Sequence, residues 1–306
     1  MLHQTYNYAD TLAAQEKITW RVEDLIGPDK PFDFEKPFLP ESLARVQSLN
    51  FLMPEEKRLL NQIRAHGYLY MFGLVEEFIL PFVMDHTRAR LGLDDNDHRI
   101  RAFLEFAAEE AKHIHLFNRF REEFRRGFGM ACEVIGPAAE IGKAVLSHHP
   151  LAVALVILQI EWMTQLHYVD SVKDDQAIDA RFKELLKNHW MEEAQHAKLD
   201  TMMVQSLADG LSEAEINAAI DDYLKIGGLV DGGLQQQVKF DLSVLERSAG
   251  RRFDPSEVEK FFARQLQAQR WTYLGSGMTH PNFIATLKSL GGTAAARIAE
   301  VAPAFC

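Results

Sequence analysis

The chain has 306 residues, 47% of them hydrophobic and 25% charged, which is enough to bury a sizeable core. Its formal net charge of -11 argues against nucleic-acid and anionic-membrane partners, both of which select basic patches. Two cysteines, Cys132 and Cys306, exclude a disulfide framework; the absence of an apolar signal segment in MLHQTYNYADTLAAQEK and of any long uncharged apolar window makes a cytoplasmic protein with no membrane span the expectation.

Residues 1–50 read as an irregular arm, because the prolines of PDKPFDFEKPFLPES cannot sustain a helix. Phe32, Phe34 and Phe38 are expected to pin that arm to the body. From Met53 onward the pattern is helical. A first long helix is expected over about 54–91, opened by Pro54 with Glu55 and Glu56 in its first turn. After the turn GLDDND a second runs over about 95–126. Its basic end (Arg119, Arg121, Arg125, Arg126) is interleaved with Glu122 and Glu123 and reads as a solvated helix end. Glycines and Pro137 mark a longer connection, followed by helices over about 150–172 and 175–208. Strand signals are nearly absent. Four long helices with one long crossover between the second and third fit an all-α, ferritin-like four-helix bundle over about 54–210. Accessory helices over about 211–302, the first opened by a Ser212/Glu215 capping box, complete a single expected domain spanning 1–306.

Two motifs carry chemistry. In EFAAEEAKHIHLF, Glu110 and His113 lie three residues apart, about 60° around the helix and one turn up. In KNHWMEEAQHAKLD, Glu193 and His196 repeat the spacing. Paired E-x-x-H helices are what a carboxylate-bridged metal pair needs, with one further glutamate from each of the other two helices. On the third helix that glutamate is Glu161, the one carboxylate in the apolar run LAVALVILQIEW, where an unpaired charge would cost several kcal/mol. The first helix offers Glu76 or Glu77. Glu77, sharing a face with Tyr70, Gly73 and Leu80, is preferred, although Glu76 shares an equally apolar face with Leu69, Phe72 and Val83. His189 falls on the face of Glu193 and His196 and is a seventh candidate. His115 is off that face. Glu109 and Glu192 point elsewhere on their helices and are expected to be solvated or paired with Lys112 and Lys198. Asp200 is either an acceptor orienting a ligand imidazole or a surface group. Phe103, Phe106, Phe117, Trp162, Tyr70 and Trp190 could line an aromatic-binding cavity, although aromatics at helical spacing more often form core.

The order E … E-x-x-H … E … H-x-x-x-E-x-x-H over about 60–210 resembles the di-iron N-oxygenases that convert aryl amines to nitro compounds, the p-aminobenzoate N-oxygenase type. The resemblance implies Glu77, Glu110, His113, Glu161, His189, Glu193 and His196 as ligands and catalytic residues of two iron ions. It also implies dioxygen as co-substrate, activated through a peroxo species to oxygenate a small organic molecule, such as an aryl amine at nitrogen. Electrons are expected from a separate reductase or ferredoxin, since no flavin, dinucleotide or Fe–S motif is found, and a homodimer is expected. Four alternatives stay open, one of them a metal-free helical interaction protein. Iron storage fits poorly with the added length. A ribonucleotide-reductase-type radical subunit carries a tyrosine four residues after the first motif histidine, where this chain has Phe117. Hydroxylating or aldehyde-processing di-iron enzymes differ from the present pattern only at His189.

Overall fold

A computed structural model describes residues 5–88, 91 and 97–306 of the chain. Every regular element among them is helical. Three short helices, α1 (Tyr8–Gln15), α2 (Val22–Leu25) and α3 (Glu41–Ala44), punctuate the arm. The bundle is formed by α4 (Pro54–Arg88), α5 (His98–Phe128), α7 (Pro150–Leu166) and α8 (Ala180–Ala208). A short helix, α6 (Ala138–Leu146), lies in the crossover between α5 and α7. Beyond the bundle run α9 (Glu213–Ala249), α10 (Pro255–Arg270), α11 (Ser276–Met278), α12 (Pro281–Ser289) and α13 (Ala294–Val301). The expected turn at 92–96 lies outside the described residues.

Helix ends fall where the residue chemistry directs. Asp97 accepts from the Arg99 and Ile100 amides at the start of α5, and Gly129 closes that helix at φ 72°. Asp179 accepts from the Phe182 amide to start α8. Ser212 and Glu215 form the expected capping box of α9. That helix then continues through its glycine pairs to Ala249, much further than its periodicity indicates. The α7 helix continues into a π-helical segment, His167–Val172.

α4 packs along α5 and α7 along α8, while α9 lies against both α4 and α7. With the crossover between the second and third long helices, this is the ferritin-like arrangement. α1 and α2 rest on α5 and α8. The α4 and α7 segments are long and apolar enough to cross a membrane by length and composition, but their apolar windows are 56% and 72% buried inside the protein, as core helices are. At the basic end of α5, Arg126 pairs with Glu122 and Glu123.

The arm is held by aromatic packing and by one carboxamide. Phe38 is fully buried and stacks on Phe182 at 5.6 Å; Phe32 and Phe34 meet Phe120 and Phe124 at 5.5 and 5.7 Å. Gly127 allows this, because a Cβ there would run into the Phe34 ring. The Asn61 side chain on α4 accepts from the Phe38 and Leu39 amides at 2.7 and 3.0 Å and donates to the Leu39 carbonyl at 2.7 Å. All of these groups are buried, so truncation strands the two amides. Asn61→Ala should lower unfolding stability by about 2–3 kcal/mol, read from chemical denaturation. A loss below about 0.5 kcal/mol would show that the aromatic contacts hold the arm without this side chain.

Candidate metal centre

The two E-x-x-H helices face each other across the bundle and bring Glu110, His113, Glu193 and His196 together, all buried. Glu76 from α4 and His189 from α8 complete a second group with His113 and Glu193, so the two groups share one imidazole and one carboxylate. Within each group the possible ligand atoms lie within 4.8 Å of one another. Glu193 is the centre of the cluster. Its Oε1 lies 2.6 Å from His189 Nε2 and 3.1 Å from His113 Nδ1, and its Oε2 lies 2.8 Å from His196 Nδ1. Glu161 from α7 reaches the cluster beside Glu193, whose charge, after burial, does most to push the Glu161 carboxyl upward.

The choice on α4 is corrected by the structure: Glu76, not Glu77, enters the cluster. Glu76 is 3% exposed, and its Oε1 lies 3.0 Å from His189 Nε2. Glu77 is exposed, beside Lys143 in a shallow cleft against α6. The two faces differ in depth rather than in polarity. Leu69, Phe72 and Val83 are buried with Glu76, whereas Tyr70, Gly73 and Leu80 on the Glu77 face are only half-buried.

Glu109 and Glu192 are likewise not solvated. Each is buried and accepts from the motif imidazole of the opposite helix, Glu192 from His113 Nε2 at 2.7 Å and Glu109 from His196 Nε2 at 2.9 Å. Glu192 also takes the expected Lys112, whereas Lys198 bonds Gln195 instead. Gln15 of the arm donates to Glu109 at 2.9 Å, and Trp20 stacks on His113 at 6.0 Å with Lys112 Nζ 4.0 Å from the Trp20 ring centroid. The available signal was the doubled glutamate of each motif: a carboxylate about 100° from the ligand face points at the neighbouring helix. With Nε2 committed to these acceptors, Nδ1 of His113 and of His196 is turned toward the cluster. Asp200 is fully buried but accepts from no imidazole, so neither reading of it holds. His115 is exposed.

Burial dominates the electrostatics. It pushes the carboxyls of Glu76, Glu110, Glu161 and Asp200 upward, reinforced by the neighbouring carboxylates. Burial would depress His113 and His196, but the glutamates around them outweigh it and raise both. His189 is depressed by burial. Glu193 resists its own burial because His189 and His196 hold its carboxyl well down.

The donor set fits a pair of divalent metal ions. Glu76 Oε2, both oxygens of Glu110, Glu161 Oε2 and His113 Nδ1 are buried without a hydrogen-bond partner. Glu110 Oε1 is 2.9 Å from His196 Nδ1, a nitrogen that already faces Glu193 Oε2. Orphaned polar atoms in an apolar interior each carry a desolvation penalty, which coordination removes. Four carboxylates balance the charge of two divalent ions, and mixed carboxylate–imidazole donors suit iron or manganese. Aromatic rings exclude water around them: Phe106 stacks on His196 at 3.9 Å, and Phe72 and Phe117 stand edge-on to His189 at 5.4 and 5.0 Å. Phe103, Phe106 and Phe117 are thus core, and none of the six aromatics proposed as pocket lining borders the apolar cavity between α4, α7 and α9.

The class that fold and site define is an all-α bundle with a buried dinuclear-type carboxylate–imidazole cluster. No protein-family model and no curated protein matches the chain. It is similar in fold to a tyrosine-to-phenylalanine variant of an R2-like ligand-binding oxidase with an aerobically reconstituted Mn/Fe cofactor (14% identity, TM-score 0.46, covering 89% of this chain and 95% of that one). A valine-to-alanine variant with an anaerobically reconstituted Mn/Fe cofactor gives 14% identity and a TM-score of 0.45, covering 87% and 94%. A glycine-to-leucine variant with an Fe/Fe cofactor gives 14% and 0.43, covering 87% and 96%. At such identity and scores the metals of those proteins say nothing about this one, whose assignment rests on its own residues.

Glu76→Ala should cost the chain at least one bound metal, whereas Glu77→Ala should keep full content, measured by elemental analysis after desalting. Equal content in the two variants would reverse the assignment on α4. Glu192→Gln should weaken metal binding by about 10–100-fold while leaving the fold intact, because it acts through His113.

Proposed function

We propose that the chain is a di-metal oxidoreductase that uses dioxygen to oxygenate a small organic substrate. The observation that carries the reading is the Glu76–Glu110–His113–Glu161–His189–Glu193–His196 cluster, buried and short of hydrogen-bond donors. When bound, the two ions supply dioxygen binding and reduction. The chain's own residues do the rest. Glu193 lies between the two groups and presents one oxygen to each. Glu192 and Glu109 fix the tautomer of His113 and His196, keeping Nδ1 as the donor atom. Phe72, Phe106 and Phe117 keep the centre dry, which strengthens each electrostatic interaction inside it.

Two features favour an oxygenase over the rivals. Phe117 stands 5.0 Å from His189 at the position where the radical-generating family carries tyrosine, and phenylalanine forms no stable phenoxyl radical. The presence of His189 in the cluster supports the N-oxygenase type, since this third imidazole is what distinguishes that resemblance from the hydroxylating enzymes. Electrons would come from a separate donor protein.

Anaerobic loading with Fe(II), followed by dioxygen and a chemical reductant, tests the reading. Two irons per chain and dioxygen consumption in excess of iron are expected. Many irons per chain would establish storage instead, and no bound metal would overturn the proposal. His189→Ala should retain most of its iron but slow dioxygen consumption at least tenfold; unchanged metal content and turnover would remove His189 from the site.

A further inference from the structure

An apolar cavity of about 520 Å³ lies beside the bundle interior, walled by α4, α7, α9 and residues 134–145 and 273–274. Its volume falls within the range that holds drug-sized ligands. Its walls are aliphatic and aromatic, with Met71, Val75, Val156, Ile160, Ile226 and Val230 among them. Two polar side chains deep inside are partnered: the Tyr223 hydroxyl bonds Gln159 Oε1, and Gln159 Nε2 donates to the Tyr273 carbonyl at 3.2 Å. At the exposed mouth stand Glu140 and Gln236. No lysine, arginine or histidine is among the lining residues, so the one charged group is an acid. Phe72 lines the cavity and also sets its ring edge-on against His189, so cavity and metal cluster share a wall one ring thick.

Resting on the di-metal reading, we infer that this cavity is the substrate site of that centre and that it takes a neutral, predominantly apolar molecule, of which an alkyl-substituted aryl amine is representative, and rejects carboxylates. A carboxylate entering here would lose its hydration with no cation among the lining residues to replace it, and would pass Glu140 on the way in. Sites that leave a polar group unpaired discriminate by large factors, whereas apolar walls tolerate changes in length. The cavity therefore departs from what p-aminobenzoate requires, namely a cation for the acid end, and it is larger than a single ring needs.

Binding of N-phenyl-1-naphthylamine, a neutral probe that fluoresces in apolar surroundings, tests this in the metal-free chain and in the anaerobic Fe(II)-loaded chain. 4-Butylaniline should displace the probe at a concentration at least 100-fold lower than the size-matched acid 4-(4-aminophenyl)butanoate. Ile160→Trp and Val230→Trp, which fill the cavity, should weaken probe binding at least tenfold. Glu140→Lys changes only an exposed side chain and should narrow the amine-to-acid gap about tenfold at low salt. Equal competition by the acid, probe binding unchanged in both tryptophan variants, or a gap unaffected by Glu140→Lys would each overturn the inference. Failure of the di-metal reading is seen separately: a chain that takes up no metal but binds the probe refutes that reading, whereas one that takes up two metals but not the probe refutes the cavity assignment alone.

Discussion

Like charges cannot be gathered in a dry interior unless something positive is placed among them, and this bundle gathers Glu76, Glu110, Glu161 and Glu193 within its core. Much of the surrounding structure answers that one constraint. The imidazoles of His189 and His196 supply protons to part of the cluster, and those of His113, His189 and His196 would supply lone pairs to bound metals. Both oxygens of Glu110 are left without a hydrogen-bond partner. The rings of Phe72, Phe106 and Phe117 then exclude the water that would otherwise screen the repulsion, so the cost of the arrangement is kept high until ions arrive.

The fold is organised to hold those charges still. Each motif histidine is gripped from behind by the glutamate that precedes the opposite motif's ligand, so α5 and α8 are stitched together twice by nearly equivalent contacts. The arm closes over the same region, with Gln15 on Glu109 and Trp20 on His113. An irregular segment that the sequence presents as a mere attachment therefore forms part of the outer shell of the site.

What could be read in advance divides along physical lines. The long helices, their caps and the two motif pairs depend on local spacing, and α4, α5, α7 and α8 end within a few residues of expectation apart from the late start of α8. Glu161 was visible because a lone carboxylate in an apolar run demands a partner. Glu76 and Glu77 could not be separated in this way: both faces of α4 are apolar in sequence, and only packing shows that Glu76 is turned inward while Glu77 lies exposed against α6. The roles of Glu109 and Glu192 escaped for a related reason, since a carboxylate off the ligand face reads as solvated until a second helix is brought against it. The apolar cavity depends on residues from five separate segments and has no local signature at all.

The two halves of the bundle are near copies in their donor pattern, a lone glutamate and an E-E-x-x-H on each, but the copy is broken at one place. The position four residues before Glu193 holds His189, while the position four residues before Glu110 holds Phe106, whose ring lies flat on His196. One half thus offers a nitrogen where the other offers only the face of a ring. Ions bound on the two sides would meet unlike surroundings, three imidazole-bearing positions being shared unevenly between them, so the cluster is built as two unlike sites rather than as a symmetric couple.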